Sequence, residues 1–157
     1  MLDAGSNNLH IALKVKCPKT CRKDEVITLL KEVNTRKPVS VELGLQTIHE
    51  STARYIRRGY EAEVYYDAVK RLKAVGIDVV THIILGLPEE TPEMMEETAK
   101  AVISAGTDGV KFHLLHVLRG TDLETEYRAG KFRCLTLEEY ARWLSGCLAM
   151  VPERVVV

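Results

Sequence analysis

The sequence has no apolar run approaching the roughly 18–20 residues of a membrane-spanning helix. Its start, MLDAGSNNLH, carries neither the basic segment nor the apolar stretch of a secretory signal. These two absences predict a cytoplasmic protein with no membrane partner. Charge of one dominant sign is also missing: Lys+Arg and Asp+Glu are both 22. A protein that coats phosphates needs a basic excess, so nucleic acid is not expected as a partner, although a local basic patch stays open. Of four cysteines, only Cys17 and Cys21 are close in sequence. No third and fourth ligand stand at finger, ribbon or ferredoxin spacing. Without a secretory signal, the cysteines are expected as thiols in a strand-to-helix loop rather than as disulfides. No repeat, low-complexity segment or linker divides the 157 residues, which are expected to form one domain, 1–157.

What the sequence does contain is alternation. Residues 9–16 (LHIALKVK) have the period of a strand, and 24–34 have helical spacing through Val26, Leu29, Leu30 and Val33. Pro38 opens a second strand at 39–45. A short helix at 51–58 follows, then a longer one at 61–75 that aligns Val64, Ala68, Leu72 and Val75 and stops at Gly76. The third strand, 77–87, is almost continuously apolar, as a strand covered on both faces should be. Thr91 suits an N-cap and Pro92 the first helical position, with Glu93, Glu96 and Glu97 toward the positive end of the dipole. That helix ends before Gly106. Then come a fourth strand at 109–118, a short helix near 122–129, and a capping box at Thr136 and Glu139 opening a helix to about residue 150. Residues 154–157 read as the beginning of a fifth strand.

Strands separated by helices imply right-handed βαβ units and a parallel sheet, hence an α/β fold. The pattern reads as about half of a barrel, cut at both ends. Strands 9–16 and 154–157 would then be open edges, through which the chain could self-associate.

Parallel sheets present ligands at the C-terminal ends of their strands. In ELGLQ, Glu42 and Gln46 flank Gly44 on one strand face. A carboxylate and an amide aimed into a barrel are costly unless they bind something or, as for a buried Glu beside Lys or Arg, find a partner. In THIILGLPEET, His82 and Ile84 share a face, Gly86 offers room for a flat ligand, and Pro88 stiffens the turn. His82 could equally be a satisfied core residue. In HLLHVLRGT, His113 and His116 are three apart and fall on opposite strand faces, a poor metal pair, so no metal site is expected. Arg119-Gly120-Thr121 suits an anion or a solvated loop equally. Glu42 and His113 could also form the acid–base pair of an unrelated βα-barrel enzyme.

ELGLQT, RRG, HIILGLPEET and HLLHVLRGT, in this order and spacing, resemble the second half of a radical S-adenosylmethionine (SAM) enzyme. The similarity runs from about residue 11 to 157. It is strongest to the Fe–S oxidoreductase subfamily, related to the oxygen-independent coproporphyrinogen oxidase and Elp3-like groups. The resemblance implies part, roughly half, of a (β/α)6 partial TIM-type barrel with parallel strands. It implies SAM ligated to a 4Fe–4S cluster, and cleavage of SAM to a 5′-deoxyadenosyl radical that acts on a small-molecule substrate. By position it places Gln46 at the SAM ribose or carboxylate, Arg58 at the methionine carboxylate and His82 at the ribose. Ile84 would pack on adenine, Gly86 and Pro88 would shape the turn, and Leu115 and His116 would border the adenine edge. Glu42 and His113 would lie deeper, as substrate contacts.

One departure from the family is large. Its Cys-x3-Cys-x2-Cys cluster loop does not occur; Cys17 and Cys21 imitate the first spacing, but Asp24 stands where the third cysteine belongs. They also precede the strand that matches the family's fourth. The resemblance therefore implies a SAM- and substrate-binding half that ligates no cluster and is inactive alone. The alternative is a non-catalytic half-barrel that binds a protein partner or its own copy.

Overall fold

A computed structural model describes residues 10–15 and 18–157. Its sheet consists of β1 (Ile11–Val15), β2 (Val39–Gln46), β3 (Asp78–Leu85) and β4 (Gly109–Leu114) in the order β1-β2-β3-β4, all pairs parallel. A 3-10 helix (Pro18–Arg22) and α1 (Asp24–Arg36) link β1 to β2, while α2 (Glu50–Tyr55) and α3 (Ala62–Ala74) link β2 to β3. Helix α4 (Pro92–Ser104) crosses to β4, followed by α5 (Asp122–Arg128) and α6 (Leu137–Ala149). Strand order follows chain order without reversal, the topology of a barrel rather than of a doubly wound sheet.

Burial along β3 alternates. Val79, Thr81, Ile83 and Leu85 are buried, while Val80, His82 and Ile84 are half-buried. The buried set packs with Val41, Leu43 and Leu45 of β2 against Tyr65, Ala68, Val69 and Leu72 of α3 and Met95, Ala99 and Val102 of α4. The sequence reading of 77–87 as covered on both faces is thus corrected. The apolar residues on its second face line a concave surface that helices do not cover.

The core also holds a polar chain. The Tyr65 hydroxyl is 2.8 Å from Thr81 Oγ1, which is 3.0 Å from Thr107 Oγ1, itself 2.8 Å from the carbonyl oxygens of Val79 and Gly109. Carbonyls only accept, so Thr107 donates to one of them, Thr81 to Thr107, and Tyr65 to Thr81. Burial holds the Tyr65 hydroxyl protonated far above the ordinary tyrosine range. Tyr65→Phe removes the outermost donor alone and is expected to cost about 1 kcal/mol. Urea unfolding should show a lower midpoint at an unchanged m-value; an unchanged midpoint would contradict the chain of donors.

The expected short helix at 51–58 occupies Glu50–Tyr55. The strand expected over 109–118 ends at Leu114, where the Leu115 amide turns back to the Leu85 carbonyl at 3.2 Å. The expected fifth strand at 154–157 is a single parallel bridge, Gly109 to Val156, beside β4. Of the first strand, Leu9 and Lys16 lie outside the described residues, as does Cys17. Among the described residues, no helix is long and apolar enough to cross a membrane.

Candidate functional site

The concave face is built by register. Lys14 pairs with Glu42, Gly44 with His82 and His82 with Lys111, while Ile84 pairs with His113. A β-bulge between Gly44 and Gln46 shifts the β2–β3 ladder, and Gln46 adopts φ 64°, the left-handed region. Its side chain folds back over Gly44, where a Cβ would overlap Gln46 Nε2. The glycine therefore makes room for the glutamine of its own strand. The Gln46 amide has no hydrogen-bond partner among the described residues.

Two hollows open on this face and share Gln46. One, of about 340 Å³, is lined by Gln46, Arg58, Ile84 and Leu115 together with Tyr60 and Leu87. The other, of about 220 Å³, is lined by Lys14, Glu42, Gly44, Gln46 and His82. Four of the residues assigned to the cofactor by resemblance thus share one wall. His82 lies in the neighbouring hollow with Glu42. His116 is exposed and lines neither; because β4 stops at Leu114, strand alternation does not reach it.

His82 is the centre of a hydrogen-bonded row. Its Nε2 is 2.8 Å from Glu42 Oε2, and its Nδ1 is 2.8 Å from His113 Nε2. Lys111 Nζ donates to the other Glu42 oxygen. Chiefly through that bond, the lysine holds the Glu42 carboxyl below its ordinary range; burial opposes and His82 assists. Burial pushes both imidazoles down, against the pull of Glu42 on His82. Glu42 and His113 therefore do not bond each other directly, since His82 stands between them. Lys111 carried a signal that the sequence reading overlooked, because 111 and 113 share a strand face.

Arg58 is placed differently from a free donor fork. Its side chain is 1% exposed. Nε donates to the Tyr60 carbonyl (2.7 Å), Nη1 to those of Thr47 (2.6 Å) and Leu45 (3.2 Å), and Nη2 to Glu50 Oε1 (2.9 Å). The guanidinium also stacks on the Tyr60 ring, 4.9 Å from its centroid. Tyr60 in turn donates its hydroxyl to the Gly44 carbonyl. No sequence pattern pointed to Tyr60.

The GLPEET turn is also occupied from within. Gly86 has φ 83°, and a Cβ there would lie 2.8 Å from Leu135 Cγ, so this space is filled by Leu135 and not left for a flat ligand. Glu90, unremarked in the sequence reading, turns back to accept from Thr47 Oγ1 at 2.5 Å, and burial raises its carboxyl pKa. Thr91 caps α4 through the Met94 amide, with Pro92 at its first position. The turn thus fastens the β3–α4 junction to the β2–α2 junction, directly beside Gln46.

For an iron–sulfur cluster the described residues do not fit. Cys21 and Cys147 are buried and Cys134 is partly buried. Burial pushes the Cys147 thiol up to about 11, opposite to what a thiolate ligand needs. No group of three or more His, Cys, Asp or Glu among the described residues could hold a metal ion. The larger hollow does suit SAM: Ile84, Leu87 and Leu115 give it an apolar wall, and the Gln46 amide, without a partner among the described residues, gives it a polar rim.

Comparison with known proteins gives this geometry its context. Residues 3–102 match the Radical SAM superfamily, and residues 107–157 match the Radical_SAM C-terminal domain. YtqA of Bacillus subtilis is 40% identical over 147 residues, 94% of this chain and 46% of its own length. The solved structure of archaeal Methanocaldococcus infernus Elp3 aligns at TM-score 0.80 and 26% identity, covering 94% of this chain and 34% of that one. Coproporphyrinogen III oxidase (HemN) from Escherichia coli, at 19% identity and TM-score 0.62, shares the fold over 89% of this chain and 31% of its own. The chain spans about half the length of the curated relatives it matches. With the superfamily match covering more than half of its residues, and a parallel sheet whose order follows the chain, this protein belongs to the radical SAM superfamily.

Proposed function

We propose that the chain is the SAM- and substrate-binding portion of a radical SAM barrel, with the cluster ligated by residues outside the described set. One observation carries this reading. Gln46, Ile84 and Leu115, from three successive strand ends, meet in one hollow backed by Arg58. When bound beside a reduced 4Fe–4S cluster, SAM supplies a carbon-centred radical that abstracts hydrogen. In this reading Ile84 and Leu115 pack on the adenine, and the Gln46 amide meets the ribose or carboxylate. Arg58 adds positive charge behind the wall and holds the turn that strains Gln46 into place. Glu42 and His113 face a small-molecule substrate.

Isothermal titration of the chain with SAM should give saturable binding that Ile84→Asp weakens at least about tenfold, a methionine-adenosyl ligand being unable to pack on a carboxylate. Equal affinity in that variant would sink the assignment. Anaerobic reconstitution of the chain alone with iron and sulfide is expected to yield no stoichiometric cluster, because only Cys17 and Cys21 are near one another in sequence. A charge-transfer absorbance lost on Cys17→Ala would overturn that expectation.

One observation favours a second reading, a non-catalytic half-barrel that joins a protein partner or its own copy. Among the described residues β1 pairs on one side only, with β2, and its Leu13 is 37% exposed. Light scattering that shows a stable monomer at high concentration would reject self-association.

A further inference from the structure

We propose that Nδ1 of His113 is the proton-accepting atom this face presents to substrate, with His82 and Glu42 as the positioning residues that hold it in that form. As a placement of substrate, this rests on the barrel reading above; the hydrogen-bonded row itself does not.

The inference follows from which atoms can donate. Glu42, bound by Lys111 on one oxygen, is an ionised acceptor, so the 2.8 Å contact on its other oxygen requires a proton on His82 Nε2. A neutral His82 then has a bare Nδ1, which must accept, so the 2.8 Å contact to His113 Nε2 is donated by His113. A neutral His113 with its proton on Nε2 has a bare Nδ1. Three features support this order. The two rings lie within 14° of parallel, with centroids 4.9 Å apart. A nitrogen–nitrogen separation of 2.8 Å is shorter than the roughly 3.5 Å contact of stacked rings, so the imidazoles meet edge to edge, in line. His113 is exposed, whereas the His82 side chain is 12% exposed and the Glu42 side chain 11%, so the row runs from a buried carboxylate to an open end.

The groups facing the row come from every strand of the sheet: Lys14 on β1, Glu42 on β2, His82 on β3 and Lys111 on β4, with His116 just beyond. Burial first, and the lysines after it, disfavour imidazolium on both rings, against the pull of Glu42 on His82, in keeping with the free Nδ1 that the geometry of the row requires. The ligand class is a substrate that brings an N–H or O–H group to the β3–β4 side of the face. In the step, the substrate X–H bond breaks, its electron pair stays on X, and a new N–H bond forms at His113 Nδ1. The resulting imidazolium keeps its Nε2–H on His82, and Glu42 stabilises the charge through that ring. Reversal returns the proton, so no oxidant or reductant is needed.

The test uses the purified ¹⁵N-labelled chain and long-range proton–nitrogen correlation of its five histidines, assigned with His82→Gln and His113→Gln. At neutral pH both His82 and His113 should appear as the Nε2–H tautomer, with His113 titrating below an ordinary histidine. Glu42→Gln should reverse the row. Lys111 retains the amide oxygen, the amide N–H₂ then faces His82 Nε2, and both rings pass to the Nδ1–H form. A His113 that is cationic or Nδ1-protonated in the unaltered chain would overturn the proposal, as would unchanged tautomers in a folded Glu42→Gln. Should that variant fail to fold, diethyl pyrocarbonate on the unaltered chain provides an independent reading. Mass spectrometry should show His113 modified at least about tenfold faster than His82, the rate falling as pH drops; equal or reversed rates would reject a free Nδ1. SAM titration of the same samples reads the cofactor assignment separately, because Glu42 and His82 line the smaller hollow, while Glu42, His82 and His113 are all absent from the lining of the larger one.

Discussion

Replacing Arg58 with alanine is expected to lower stability by about 3 kcal/mol. Its guanidinium bridges the carbonyls of Leu45, Thr47 and Tyr60 and the Glu50 carboxylate from a site that is 1% exposed. Removal takes that donor from three carbonyls, of which Leu45 keeps the Thr47 amide, and takes the cation from a carboxylate that keeps the Ala62 amide; each group left unsatisfied costs on the order of 1 kcal/mol or more. Glu50 is 37% exposed and recovers some hydration, which keeps the total at the lower end for breaking a buried pair. Lysine should restore less than half of the loss, having one ammonium where the planar fork spans both sides of the turn. Urea unfolding measures this, and a loss under about 1 kcal/mol would show that the latch matters little. SAM affinity in whatever fraction stays folded tests separately the role that the family resemblance gives Arg58.

Gly86→Ala should cost about 2–5 kcal/mol, from two causes that can be separated. The φ of 83° disfavours any side chain by about 1–2 kcal/mol. The added Cβ would sit 2.8 Å from Leu135 Cγ and 2.9 Å from Cδ1, an overlap costing about 1–3 kcal/mol in a packed site. Pairing Gly86→Ala with Leu135→Ala should recover the overlap and leave the backbone cost. A double-mutant cycle is therefore expected to give a coupling of about 1 kcal/mol or more. Strict additivity would mean that Leu135 moves aside freely and that the closure over the β3–α4 turn is loose.

The parallel order of strands was legible because apolar period and caps are local signals. Val39, Val41, Leu43 and Leu45 alternate, Gly76 stops α3 at φ 74°, and Thr136 with Glu139 forms the box that opens α6. Motif order likewise placed Gln46, Ile84 and Leu115 at one mouth. What each side chain does there was not legible, since hydrogen-bond partners lie far apart in sequence, 69 residues in the case of Lys111 and Glu42. The β-bulge that turns Gln46 back over Gly44 leaves no local mark beyond the glycine, and Arg58 reads identically whether it faces a ligand or three carbonyls. Periodicity and capping act within a few residues, so sequence alone determined the α/β order and the family. Pairing across strands depends on register and burial, so only the tertiary structure decided that His82 joins Glu42 to His113 and that Arg58 locks the turn behind the hollow.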